Sequence, residues 1–131
     1  MTRLILALLV LAISILPLYA QSTSLHTDRS GYTTGTDGSR TVNTYTDQYG
    51  NTTGWVGSKY ISTYSDGYGG MTGTIGNKLI STYEDGYGNT RGTIGRDRIN
   101  LYTDPSGTTI GIIGRRRLKC YTDRFRTTTC N

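Results

Sequence analysis

The stretch STYEDGYGNTRGTIG, Ser81 to Gly95, decides the fold. Taken by itself, its Glu84–Asp85 pair and its four glycines read equally well as a calcium loop, a phosphate loop or a turn. Its neighbours make the choice. Laid out in rows of nineteen, the chain reads SLHTDRSGYTTGTDGSRTV (24–42), NTYTDQYGNTTGWVGSKYI (43–61), STYSDGYGGMTGTIGNKLI (62–80), STYEDGYGNTRGTIGRDRI (81–99) and NLYTDPSGTTIGIIGRRRL (100–118). A partial row, KCYTDRFRTTTCN (119–131), follows, and no gap is needed anywhere. The opening stretch is therefore one copy of a repeated unit.

The columns of this layout carry the physics. The third place is His26 and then Tyr45, Tyr64, Tyr83, Tyr102 and Tyr121; the fifth is aspartate in every row. Glycine recurs at the eighth, twelfth and fifteenth places, and threonine, tyrosine, isoleucine and valine fill the intervals, as suits a pleated surface. No helical period is present, so the expected class is all-β, with two short strands per row. In row five, Asp104-Pro105-Ser106-Gly107 is the sequence of a type I turn closed by a left-handed glycine. Asp85 then reads as a turn-former whose carboxylate bonds the backbone just ahead of it, in preference to a metal ligand.

A three-residue loop of this kind pairs the fifth place with the ninth and the second with the twelfth. In the last row the second and twelfth places are Cys120 and Cys130, the only two cysteines. Facing each other across the ladder, they are placed to close a disulfide over the final hairpin. A second turn, Gly76-Asn77-Lys78-Leu79 in row three, is expected to pair the fourteenth place with the nineteenth. Together the two turns give an antiparallel meander of about eleven strands. One face carries the aliphatic fourteenth and nineteenth places, with Leu25, Leu79, Leu101 and Ile110 adding to a thin apolar layer, and the other carries the tyrosines. The sheet is expected to curl over its aliphatic face. The alternative is a β-solenoid with like strands stacked in parallel, which would set the aspartates in a repulsive ladder at about 4.8 Å.

Residues 1–20, MTRLILALLVLAISILPLYA, have a basic start, an apolar run and a small residue before the expected cut, the pattern of a secretory signal peptide. Residues 21–131 form a single β-repeat domain on this reading, and an even cysteine count fits an exported chain. The expected location is secreted, periplasmic or cell-surface.

The pattern Tyr-x-Asp-x-x-Gly-Asn-Thr-x-Gly, seen from Tyr83 to Gly92, resembles the tandem repeats of short exported bacterial proteins that have no assigned activity. That resemblance covers residues 43–123 and implies a β-hairpin array. The chain is distantly similar to curli-type repeat subunits, although the glutamine and asparagine ladders of that group are missing. MORN-type repeats share the hairpin architecture without the residue pattern.

No catalytic set, metal site or cofactor is read from the sequence. His26 is the only histidine and stands in the tyrosine column; Glu84 and Asp85, as strand neighbours, point to opposite faces. Two binding readings stand beside a structural or adhesive one. Tyr45, Tyr64, Tyr83, Tyr102 and Tyr121, with Trp55, form an aromatic and hydroxyl strip able to face glycans. The net charge of +5 is uneven, with nine basic residues against three aspartates from Arg91 onward. Arg115, Arg116, Arg117, Lys119, Arg124 and Arg126 are expected to project together from the C-terminal edge of the sheet, either to bind an anionic polymer or to block edge pairing. Aromatics among them are too sparse for a specific nucleic-acid surface. Self-association into a fibre is the third reading.

Overall fold

A computed structural model describes residues 22–130; the signal-peptide reading, on residues 1–20, falls outside them. The described chain is all-β. Its strands are β1 (Thr23–Thr27), β2 (Tyr32–Asp37), β3 (Arg40–Thr46), β4 (Thr52–Val56), β5 (Lys59–Ser65), β6 (Gly70–Ile75), β7 (Lys78–Glu84), β8 (Asn89–Ile94), β9 (Asp97–Thr103), β10 (Thr108–Ile113), β11 (Arg116–Thr122) and β12 (Thr127–Cys130). Each pairs antiparallel with its chain neighbours, and β1 pairs with β12 through Thr23–Cys130, Ser24–Thr129, Leu25–Thr128 and His26–Thr127. The meander thus closes into a twelve-stranded barrel. No stack of parallel coils is formed, and the curl expected of the sheet runs to completion. The C-terminal edge expected from the sequence does not exist, because β12 spends its outer ladder on β1. Edge protection is therefore removed as a role for the arginines.

The aspartate turns form as their sequence requires. In all six, the Asp N–H donates to the carbonyl four residues on at 2.9–3.0 Å. Its Oδ1 accepts the N–H groups two and four residues ahead, as Asp85 does from Tyr87 at 2.8 Å and Asn89 at 2.9 Å. The resulting register pairs Glu84 with Thr90, Thr82 with Gly92 and Cys120 with Cys130. The two cysteines are bonded, with their Cα atoms 4.1 Å apart.

The second turn is tighter than the spacing predicts. Ile75 pairs with Lys78, not Ile80, leaving only Gly76 and Asn77 in the loop. Gly76 has φ 59°, and Asn77 is not among the residues at positive φ. Glycine first in a two-residue loop is the II′ hairpin, whose twist matches that of the strands it joins. A four-residue loop would have left Lys78 and Leu79 outside the ladder with their backbone groups unpaired. Because the correction is two residues, each side chain keeps its face.

Inside the barrel lie Val42, Val56, Ile61, Ile75, Ile80, Ile94, Ile99 and Ile113, joined by Leu25, Met71 and Leu101. Leu79 and Ile110, expected in this layer, stand on the outer wall, and Leu79 is 73 % exposed. The aliphatics fill the half of the barrel nearer the glycine turns. Nearer the aspartate turns the interior is hydroxylic: Thr27–Thr33, Thr46–Thr52, Thr103–Thr109 and Thr122–Thr128 join across strands through their Oγ1 atoms at 2.7–2.8 Å. The twelfth-place glycines sit between these layers. A Cβ at Gly73 would strike the backbone of Ser62 and Thr63 on the adjoining strand, so this column lets neighbouring strands approach where the wall bends.

Candidate functional site

Among the described residues, side chains able to bind a partner stand on the outer wall, on the glycine-turn rim and at the aspartate-turn end. On the wall, Tyr45, Tyr64, Tyr83, Tyr102 and Tyr121 all face outward and are exposed. Part of their role is architectural, since the Tyr83 and Tyr102 rings lie about 3.5 Å from where a Cβ would stand at Gly69 and Gly88, covering the loop of the preceding row. The column is spaced two strands apart, so its rings do not form one continuous strip.

The rings do come together on β3 to β5. Trp55 pairs across the ladder with Tyr60 on one side and Asn43 on the other. The Trp55 and Tyr60 rings meet edge to face with centroids 5.1 Å apart, and remain 52 % and 45 % exposed. One step along, Tyr45, Thr53 and Ser62 form the neighbouring cross-strand set, and Tyr45 also contacts Tyr32 at 4.8 Å. The product is a patch of upright rings bordered by an amide and hydroxyls. Tyr60 and Tyr32 are the residues that sequence reasoning missed. The signal for Tyr60 was in the second turn: a two-residue loop sets the thirteenth place opposite the eighteenth, hence Trp55 opposite Tyr60.

The turn aromatics Tyr49, Tyr68, Tyr87 and Phe125 are exposed at the aspartate-turn end, where shallow clefts run between successive turns. The carboxylates there are engaged locally. A hydrogen bond from the Asn89 side chain, with backbone donors, holds Asp85 below the usual carboxylate range. The Asn51 and Tyr49 N–H groups and the Asn51 amide do the same for Asp47, and the Ser106 hydroxyl leads for Asp104. Glu84 moves the other way, pushed up by burial and by the Asp85 charge beside it.

The predicted basic set is divided by the fold. Arg115, Arg116 and Arg117 lie at the β10–β11 turn, whereas Arg124 and Arg126 lie at the β11–β12 turn, on the opposite end of the barrel, and Lys119 stands on the wall between them. What the fold assembles instead is polarity along the axis. The glycine-turn end gathers Arg40, Lys59, Lys78, Arg96, Arg98 and Arg115 to Arg117 against Asp37 and Asp97; the aspartate-turn end gathers seven carboxylates against Arg29, Arg124 and Arg126. At the basic end Asp37 is a buried exception. It occupies an aliphatic column, is 1 % exposed, and accepts a 2.7 Å hydrogen bond from Thr23 Oγ1.

The chain matches no protein-family model, no curated protein and no solved structure.

Proposed function

We propose that this chain is an exported, non-catalytic β-repeat protein with an adhesive role at a cell envelope or outside the cell, holding glycans on the wall formed by β3 to β5. The observation that carries the reading is the Trp55–Tyr60 pair, two large rings left half-exposed on rigid strands beside Asn43, Thr53 and Ser62. Sugar rings present a C–H face that stacks on aromatic side chains and a rim of hydroxyls that seeks amide and hydroxyl partners. Rings fixed on ladder-paired strands lose little freedom on binding. The Cys120–Cys130 disulfide supports export, because such bonds persist in oxidising compartments. The outer wall also bears Asn43, Ser62, Arg91, Lys119 and many threonines, unlike the apolar band with which outer-membrane barrels face lipid.

Affinity electrophoresis through gels containing soluble β-glucan, mannan or chitosan tests the reading. The parent chain should be retarded by at least one polysaccharide, and Trp55→Ala with Tyr60→Ala should abolish the retardation while leaving the Tm within a few degrees, as expected of exposed positions. Retardation that survives the double substitution would move the site elsewhere.

A further inference from the structure

The residue that opens the strand after each glycine turn is Arg40, Lys59, Lys78, Asp97 and Arg116 in succession. The first three do not point away from the barrel like ordinary surface cations. A Cβ at Gly57 would lie 3.4 Å from Arg40 Cδ, one at Gly76 3.4 Å from Lys59 Cγ, and one at Gly95 3.3 Å from Lys78 Cδ. Each stem therefore lies along the next glycine turn, and the turn glycine is what leaves room for it. Three positive charges follow one another around the rim, spaced by about two strand widths, or ~9.6 Å. Their mutual proximity shows in Lys59, whose ammonium is made more acidic by burial first and then by the charges of Arg40 and Lys78 on either side. Folding thus brings like charges together. Asp97 interrupts the row at the fourth turn, where its carboxylate lies against Gly114, but the adjoining turn residues Arg96 and Arg115 carry the positive line onward.

We propose that the glycine-turn rim is the binding surface for a linear acidic polysaccharide bearing one anionic group per disaccharide, with Lys59, Lys78, Arg96 and Arg115 contacting successive groups. The pitch supports this occupant: two strand widths approximate the length of a disaccharide repeat, whereas duplex DNA carries one charge per ~1.7 Å of axis. The rim offers one exposed aromatic pair, Trp55–Tyr60 beside Lys59, and none at the other glycine turns, so successive single-stranded bases would find no row of stacking platforms. This site is independent of the Trp55–Tyr60 wall.

Calorimetric titration of the full secreted chain with hyaluronan oligosaccharides, at several salt concentrations, tests it. Binding should weaken as salt rises, and Lys59→Gln with Lys78→Gln should lower affinity by about tenfold or more at low salt. Lys119→Gln with Arg124→Gln removes the same charge away from the rim and should change affinity less than about threefold. Arg96→Gln with Arg115→Gln, both on exposed turns, gives a second reading should the first pair disturb folding. Trp55→Ala should leave this binding unchanged, which separates it from the wall. Equal losses from the rim and off-rim pairs would reduce the effect to net charge and overturn the proposal. So would the absence of parent binding, or tighter binding to a DNA duplex than to hyaluronan.

Discussion

At Gly88 and Arg126 the same loop position is filled in two ways, and the backbone answers differently. Five rows put glycine there, with φ between 87° and 101°; the sixth puts Arg126 there, with φ 66°. A side chain tolerates the left-handed region only near φ +50° to +70°, and Arg126 falls within it while the glycines lie beyond it. The reason for the wider angle is visible at Gly88, where a Cβ would collide with the Thr103 carbonyl of the next row. Barrel closure brings the first row beside the partial one, so the Arg126 carbonyl accepts the Thr27 N–H at 3.1 Å just as the Gly88 carbonyl accepts that of Thr103. Only the side chain adds something new, its Nη1 donating to the Asp28 carbonyl at 3.3 Å. The two positions should therefore respond unequally to exchange. Gly88→Ala should destabilise the fold by about 2 kcal/mol or more, through backbone strain and the displaced Thr103 carbonyl. Arg126→Gly should stay within about 0.5 kcal/mol of the parent, as relief of the left-handed side chain offsets the extra freedom of glycine in the unfolded chain. Chemical denaturation of both variants makes the comparison, and equal losses would show that the six loops are interchangeable after all.

Between turns, the elements were legible to the extent that their hydrogen bonds are local. Asp104-Pro105-Ser106-Gly107 names its own turn, and that turn fixes the register down to the cystine. Gly76-Asn77-Lys78-Leu79 is less explicit, because a glycine followed by polar residues fits either a two- or a four-residue loop, and only the II′ twist decides. The Trp55–Tyr60 pair was hidden behind that one ambiguity. Barrel closure was hidden more deeply, since no column of the repeat says what β1 pairs with; the Thr23 to His26 partners lie more than a hundred residues away. This gives the disulfide a larger task than stapling its own hairpin. Cys130 is opposite both Cys120 and Thr23, so the bond holds in place the strand that seals the seam. Replacing both cysteines with alanine should cost up to about 3 kcal/mol, as the short loop implies. In hydrogen exchange, amides of β1 and β12 should lose protection ahead of those in β5 to β8. Uniform loss around the barrel would mean that the seam is no weaker than any other ladder.

At the scale of the whole molecule, the fold turns a one-dimensional repeat into a ring, and the ring creates what no single row contains. Seven carboxylates collect on one end and eight cations on the other because every aspartate turn faces one way and every glycine turn the opposite way. The charge count along the chain pointed only to its C-terminal third, because Arg40, Lys59 and Lys78 stand nineteen residues apart and become neighbours only when their rows are wound side by side. A ring also has no privileged starting point. The 111 residues from Gln21 to Asn131, which is 131 less the first 20, are three short of six full rows. The missing places are those of an aliphatic, a glycine and a small polar residue. A permutant that joins Asn131 to Gln21 through Ile-Gly-Asn and opens the chain between Gly57 and Ser58 would complete the sixth row and relocate the break to an exposed turn. It should fold as a monomer, form the Cys120–Cys130 bond, and keep its stability within about 2 kcal/mol of the parent, since the new loop is short and the lost one was a two-residue turn. The outcome turns on closure. With Thr23 beside Cys130, the six residues that would link them have ample reach, at most about 25 Å. Were the twelve strands an open sheet, its first and last would stand about 50 Å apart, and the same linker could be accommodated only by tearing strands from the ladder. A permutant that is unfolded, or that pairs with a second copy to relieve the linker, would show that β1 and β12 do not meet.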